Sequence, residues 1–261
     1  MKKKSIFVSA VLLMCSPFAF AGDDPAPFIP AEEPRSDFSE GWEFELTPYG
    51  WMSGMEGVLG VNGLTAPIDL GFDDILEDLD AGAMLAFDAR KDRYGFIFEG
   101  LWVKISDRAD TSGDAFSQAK VTVNEVILNG SLYYRAVEEP YTLDLLAGAR
   151  YVYMDTELEF SPGRLPGRSI DGSKDWIDPV VGFRASFPIS EKLTGVVLAD
   201  IGGFGVSSDL TWQAYLGLNY KLSESTQLKL GWRHLEIDYD RSDFSADLEM
   251  DGMTIGLGWS F

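Results

Sequence analysis

Apolar and polar residues alternate along most of the chain after residue 42, most clearly in the segment 253–261. Every second residue there is large and apolar: Met253, Ile255, Leu257, Trp259 and Phe261. A period of two is that of a β-strand with two different faces. The large apolar face of this strand would promote aggregation in water. In a closed transmembrane barrel, that face meets lipid and both edges of the strand are paired. The pattern therefore predicts a transmembrane strand.

Ten alternating segments predict an all-β protein, a single antiparallel transmembrane β-barrel of about ten strands, with eight as the alternative. The segments are 42–58, 81–91, 94–106, 119–136, 141–159, 175–188, 193–206, 209–222, 226–240 and 246–261. Tight turns alternate with longer connections, which is the asymmetry of outer-membrane barrels with short periplasmic turns. The tight turns are 92–93, 137–140, 190–192 and 223–225, and the longer connections are 59–80, 107–118, 160–174 and 241–245.

The first long loop contains a short helical pattern. Phe72, Ile75, Leu76 and Leu79 follow the spacing i, i+3, i+4 and i+7, and the intervening residues are acidic. This spacing predicts a two-turn amphipathic helix. It could cover the barrel mouth as a lid, or pack on the loop's own residues.

The first 41 residues predict export and a flexible lead-in. Three lysines at positions 2–4, an apolar run at 6–14 and the box Ala19-Phe20-Ala21 indicate a signal peptide over residues 1–21. Residues 22–41 are rich in proline and acid and predict a flexible periplasmic segment. The barrel then occupies residues 42–261, and the expected location is the cell outer membrane.

Composition narrows the class of partner. The chain has 42 acidic and 21 basic residues and a net charge of −21. Nucleic-acid binding needs a basic surface, so this balance excludes it. Aromatic residues make up 13% of the chain and glycine occurs 27 times. Together with the alternation, these values favour a barrel whose partners are outer-membrane lipid and lipopolysaccharide.

Charged residues occupy the strand face opposite the apolar one. An arginine or lysine facing lipid costs about 2–4 kcal/mol near the bilayer midplane, so these side chains are expected to point inward. Barrels of about eight strands are filled by side chains, and pairing makes buried charge tolerable. We therefore predict a largely closed lumen. The predicted lumen network comprises eight acids and seven bases: Glu43, Glu45, Asp88, Glu99, Glu125, Asp144, Asp178, Asp200, Arg90, Arg135, Arg150, Arg184, Lys221, Lys229 and Arg233.

Two smaller sites complete the expectations. Trp259 and Phe261 are predicted to form a signal for the barrel-assembly machinery. Asp238, Asp240, Ser242 and Glu249 match the ligand spacing of a calcium loop at positions one, three, five and twelve, although Asp243 replaces the glycine that the turn of such a loop requires. The candidate cation ligands are the acids Asp238, Asp240 and Asp243. They indicate loosely bound divalent cations, or simply a solvated hairpin, and no other cofactor is expected.

Several longer motifs resemble small Gram-negative outer-membrane β-barrels of the broad OmpA-like/porin-like superfamily. They are Gly202-Gly203-Phe204-Gly205, Thr211-Trp212-Gln213-Ala214, Gly217-Leu218-Asn219-Tyr220, Gly231-Trp232-Arg233, Asp238-Tyr239 and Pro48-Tyr49-Gly50-Trp51. The resemblance implies the barrel architecture and implies no common substrate. Unlike OmpA, the chain is expected to have ten strands and no peptidoglycan-binding domain after the last strand.

Three functions follow as alternatives. The favoured one is a structural or surface-interaction role, and the second is a narrow porin-like channel for small solutes. The third is a lipid- or peptide-hydrolysing outer-membrane enzyme. His234 is the only histidine, and its parity places it on the outward face beside Trp232. No serine–histidine spacing or Asp-x-His motif of barrel enzymes is found in the sequence, so no catalytic residue is assigned and a non-enzymatic role is expected.

Overall fold

The computed structural model describes residues 41–61, 64–110, 116–241 and 244–261, and the predicted signal peptide and most of the lead-in lie outside them. These residues form eleven strands and one short helix. The elements are β1 (Trp42–Val61), β2 (Leu64–Leu70), α1 (Phe72–Glu77), β3 (Leu79–Lys91), β4 (Tyr94–Asp110), β5 (Phe116–Val137), β6 (Thr142–Pro162), β7 (Arg168–Pro188), β8 (Leu193–Gly202), β9 (Leu210–Lys221), β10 (Thr226–Asp240) and β11 (Phe244–Ser260). No helix in the described ranges has the length and apolar character to cross a membrane.

The strands from β3 to β11 each pair antiparallel with the next, and β1 joins β3 to β11. The β1–β11 ladder runs from Glu45 opposite Ser260 to Val61 opposite Phe244. It closes ten strands into a barrel, as predicted from the alternation. We call the end with the short turns the inner end and the end with the longer connections the outer end.

The region 59–80, predicted as a loop, is largely regular structure. β1 continues to Val61 and folds back as β2, from Val61 opposite Leu64 to Met55 opposite Leu70. The sequence carries the signal for this hairpin, because Asn62-Gly63 between two apolar runs is typical of a two-residue turn. Helix α1 follows within the predicted range 72–79, and its Ile75 packs against apolar side chains inside the barrel.

The hairpin of β1 and β2 interrupts the pairing between β1 and β3 in the outer half of the barrel. β1 pairs with β3 only along Trp42–Pro48, and it pairs with β2 only from Met55 to Val61. β2 is the last strand in the sheet order and bonds to β1 alone among the described strands. A seam without ladder hydrogen bonds therefore separates β2 from β3 in the outer half.

The outer surface near the inner end is apolar. On β11 the outward residues from Met253 to Phe261 are 46–69% exposed. Eight residue steps correspond to about 27 Å of strand, or about 20 Å of height at a tilt of about 40°, close to the apolar band of membrane barrels. We call this apolar surface the lipid belt, because it is the face expected to meet lipid. It continues around the barrel through Phe44, Phe96, Trp102, Leu132, Leu145, Phe183, Phe187, Leu216, Leu218, Leu230 and Trp232.

In the outer half the two faces of the wall exchange character, with polar residues outward and apolar residues inward. On β11 the outward residues Asp247, Glu249 and Asp251 are exposed acids, whereas the inward residues Leu248 and Met250 are buried. The interior of this half is an apolar core. We define the outer core as the inward side chains Trp51, Met55, Leu101, Ile127, Val152, Met154, Trp176, Leu235, Ile237, Tyr239, Phe244, Ala246, Leu248 and Met250.

Candidate functional site

Polar side chains cross the bore in the inner half and end in a closed ring of hydrogen bonds just below the outer core. Six strands each contribute one side chain to this ring. Its members, in order around the cycle, are Arg150 (β6), Asn129 (β5), Glu99 (β4), Arg233 (β10), Gln213 (β9) and Asp200 (β8).

One half of the ring is centred on Arg150. Its Nε donates to Oδ1 of Asn129 at 2.8 Å, and its Nη2 donates to Oδ1 of Asp200 at 2.8 Å. Asn129 in turn donates to Oε2 of Glu99 at 3.2 Å. A third bond from Arg150 reaches the hydroxyl of Thr211 at 2.6 Å. Arg150 is fully buried, so these neutral and charged partners replace the water that its guanidinium loses.

The other half is centred on Arg233. Its Nη1 donates to Oε1 of Glu99 at 2.7 Å and its Nη2 donates to Gln213 at 2.8 Å. Gln213 donates to Asp200, which closes the cycle. Arg233 also lies 4.7 Å from the centroid of the Trp51 ring, the geometry of a cation–π contact. Trp51 belongs to the outer core, so Arg233 joins the polar ring to the apolar packing above it.

A second group, the lower tetrad, lies towards the inner end and consists of Asp88, Arg135, Asp144 and Arg184. Arg184 donates to Asp88 at 2.5 Å and to Asp144 at 2.8 Å, and Arg135 donates to Asp144 at 2.8 Å. Two arginines balance two acids here, as in the ring. Matched charge with several hydrogen bonds is the condition under which burial of ions is tolerated.

Two further ion pairs lie closer to the inner mouth. Arg90 pairs with Glu43, and Lys229 pairs with Glu45. Between these pairs and the ring lies a cavity of about 250 Å³, lined by Tyr49 and Tyr215 as well as by charged residues. Its size is slightly below that of common ligand pockets.

Three predicted network members stand apart from these groups. Asp178 is fully buried and accepts bonds from the amide and hydroxyl of Ser208 at 2.8 and 2.6 Å. Lys221 is exposed at the end of β9 and pairs with Glu224 of the adjoining turn at 2.7 Å. Glu125 is buried among the outer-core residues, and its Oε1 has no hydrogen-bond partner among the described residues.

The uncharged members of the site were missed by sequence reasoning. Four uncharged residues share the inward parity of the charged ones: Asn129, Gln213, Thr211 and Tyr49. Without a charge, they lack the large cost of facing lipid that assigns the charged residues to the bore. Tyr49 donates to Glu99 at 2.7 Å. Parity alone would have found all four residues, since each alternates with lipid-facing neighbours on its strand.

Two of the predicted cation residues, Asp238 and Asp240, lie on the outward face of a strand and not in the bore. Asp238 and Asp240 belong to β10, with Asp238 opposite Asp247 and Asp240 opposite Ser245, and Asp243 lies outside the described residues. Trp259 and Phe261 are exposed on the lipid belt. The ring of Phe261 stacks on Phe44 at 5.7 Å, and the backbones of these two residues exchange hydrogen bonds.

No protein-family model matches the chain, and no curated protein matches it in sequence. Several solved structures match its fold. The outer membrane protease OmpT of Escherichia coli has a TM-score of 0.50 and 12% identity, covering 84% of this chain and 97% of that one. A major outer membrane protein of Thermus thermophilus has a TM-score of 0.39 and 13% identity, covering 85% and 100%. The chain has the fold of outer-membrane β-barrel proteins, as its motifs predicted.

Proposed function

We propose that the protein is an integral outer-membrane barrel with a largely closed lumen and a structural or surface-interaction role. The observation that carries the proposal is the burial of the outer core. Val152, Leu235 and Ile237 are 0% exposed, and Ile127 and Leu248 are 1% exposed. Residues that line a water-filled pore keep contact with water. These five inward residues come from four strands and belong to one buried cluster, so burial of all of them supports a bore filled by side chains.

The polar ring below supports the same conclusion. Each of its four ionic side chains is held by at least two partners, which fixes the side chains in place. Ions cross a polar constriction only where mobile groups or water can replace their hydration shells. A hydrogen-bonded ring next to an apolar core offers neither. The outward surfaces then carry the function: a lipid belt for insertion, and an acidic outer wall for contact with lipopolysaccharide or other surface molecules.

The cavity between the ring and the inner mouth favours the second candidate, a narrow channel for small solutes. Together with the mouth region it provides polar space in the inner half. A channel would also need a path through the outer core. The enzyme alternative has less support, because the bore carboxylates of the ring and the lower tetrad are bound by arginines and His234 lies on the outward face.

Conductance in planar bilayers tests the proposal. The unmodified protein is expected to give no stable conductance steps. A triple variant, Ile127→Ser with Leu235→Ser and Leu248→Ser, hydrates the outer core and is expected to conduct. Its matched control replaces the outward residues Leu128, Leu216 and Leu230 by serine and is expected to stay silent. Large, stable steps from the unmodified protein would overturn the proposal and establish the channel, whether or not the variants fold.

A further inference from the structure

One cluster of side chains on the outer wall is unrelated to the bore. It lies on β10 and β11 just beyond the lipid belt, where His234 is opposite Asp251 in the ladder and Trp232 is opposite Met253. Nδ1 of His234 lies 3.5 Å from Oδ1 of Asp251 and 3.7 Å from Oε1 of Glu249. One ligand atom from each of these three residues falls within 4.8 Å of the other two.

We propose that His234, Glu249 and Asp251 form a binding site for a divalent transition-metal ion, with Zn²⁺ as the best fit. Zinc takes nitrogen and oxygen ligands at about 2.0–2.2 Å in a tetrahedral arrangement, which separates two ligand atoms by about 3.4 Å. The two distances from Nδ1 are close to that value. Glu249 and Asp251 are about half exposed, so the fourth position is open to water or to an anionic group of a neighbouring molecule.

The surroundings of His234 provide an independent indication. Histidine ligands commonly donate the second ring N–H to a carboxylate, which fixes the ring and its tautomer. Nε2 of His234 is buried and has no hydrogen-bond partner among the described residues. Oε2 of Glu236 lies 3.9 Å away, too far for a hydrogen bond in the metal-free protein, and is the group to which the second ring N–H would donate when the metal is bound. That carboxylate is held by Nε1 of Trp212 at 2.6 Å. The Trp212 ring covers the imidazole at a centroid distance of 4.4 Å. Nδ1 is therefore the nitrogen that faces the proposed metal.

The charges around the cluster also favour a cation. Glu236 is opposite Glu249, Glu249 is opposite Glu56, and Glu56 is opposite Asp69 in the ladders. Four acids thus form one row across four adjacent strands. Like charges directly opposite each other destabilise a sheet, and a bound divalent ion in the middle of the row would offset this repulsion.

The ligand set selects the type of ion. Calcium takes six to eight oxygen ligands, and magnesium keeps several waters around one or two carboxylates. An imidazole nitrogen at the centre of the cluster suits neither ion, whereas imidazole with carboxylates is a common zinc set. The site also differs from the predicted calcium-like residues Asp238 and Asp240, which lie further along β10.

The test uses the full chain without a histidine tag, refolded into detergent micelles. Zinc binding is measured by competition with a chelating dye, and the expected result is one Zn²⁺ per chain that excess Ca²⁺ or Mg²⁺ does not displace. Because the chain contains a single histidine, ¹⁵N labelling of histidine reports on His234 alone. Zinc is expected to shift the Nδ1 signal and to leave Nε2 protonated.

Variants separate a built site from general attraction by acidic charge. His234→Ala should abolish stoichiometric binding, and Asp251→Asn should weaken it at least tenfold. Glu236→Gln removes the orienting carboxylate and should weaken binding about tenfold while one zinc per chain is retained. Asp238→Asn is the matched control and should change the affinity less than twofold. Absence of stoichiometric zinc, coordination through Nε2, or equal losses in Asp238→Asn and Asp251→Asn would each overturn the proposal. If a variant fails to fold, the histidine spectrum of the unmodified chain decides.

Discussion

The two halves of the barrel fill the same bore with opposite chemistry. In the inner half the wall is apolar outside and the bore holds matched ions, such as the lower tetrad of Asp88, Arg135, Asp144 and Arg184. In the outer half the wall is acidic outside and the bore holds the outer core. One strand, β11, shows both arrangements, with Leu248 buried and Leu257 exposed. This reversal is expected if lipid surrounds the inner half and water surrounds the outer half.

The difference also separates two ways of stabilising an interior. The outer core gains from removing apolar surface from water, as in a soluble protein. The inner half does not gain in this way if its apolar face meets lipid, as proposed above. Its side chains are instead linked by hydrogen bonds and ion pairs across the bore. Loss of one partner in the inner half leaves a buried charge, whereas loss of one side chain in the outer half leaves a cavity.

The largest loss of stability is expected from removing Arg150, a member of the hydrogen-bonded ring. Arg150→Ala leaves the Asp200 carboxylate without its cation and should lower the free energy of unfolding by about 3–5 kcal/mol, the usual cost of breaking a buried pair. Urea unfolding in lipid vesicles measures it. Arg93→Ala is the control, because Arg93 pairs with Glu138 on the exposed surface and should cost less than about 1 kcal/mol. Equal losses would show that the ring does not hold the inner half together.

A smaller effect is expected from a cavity in the outer core. Leu235→Ala should cost about 2–5 kcal/mol, since the residue is fully buried. Leu230→Ala on the same strand removes the same atoms from the lipid belt, where lipid chains can fill the space, and should cost less. The same unfolding measurement compares the two variants. If Leu230→Ala proved as costly as Leu235→Ala, the outer half would not behave as a separate packed core.

Two arginine substitutions on the outward face of β11 test where the lipid belt ends and the acidic outer surface begins. Leu257→Arg places a cation on the lipid belt and should cost about 2–4 kcal/mol. Asp247→Arg places the same cation on the same outward face but in the acidic region, opposite Asp238. It should change stability by less than about 1 kcal/mol, and the sign should be favourable because a like-charge pair is removed. A large loss from Asp247→Arg would place that position in lipid as well.

The sequence predicted the ten barrel strands and helix α1, because each follows a strong local period. It did not predict the reversal between the halves. The signal is present on β10, where the apolar parity changes between Trp232 and Leu235. In the sequence that step resembles one continuous alternation, since the position where lipid is expected to end is set by the assembled barrel rather than by any single strand. The ring was missed as a unit for a related reason: its partners come from six strands, and two of its members carry no charge.

Because of the seam between β2 and β3, the backbone hydrogen bonds between neighbouring strands run all the way round the barrel only in the inner half. A closed cylinder cannot widen without breaking ladder bonds, but a cylinder slit along part of one side can spread there while its base stays intact. Backbone amides bordering the seam, such as those of β2 and the outer part of β3, should therefore exchange with deuterium long before those of the β1–β11 ladder. For evolution, such a slit is a place where a longer insertion can be added without changing the number of strands in the closed ring.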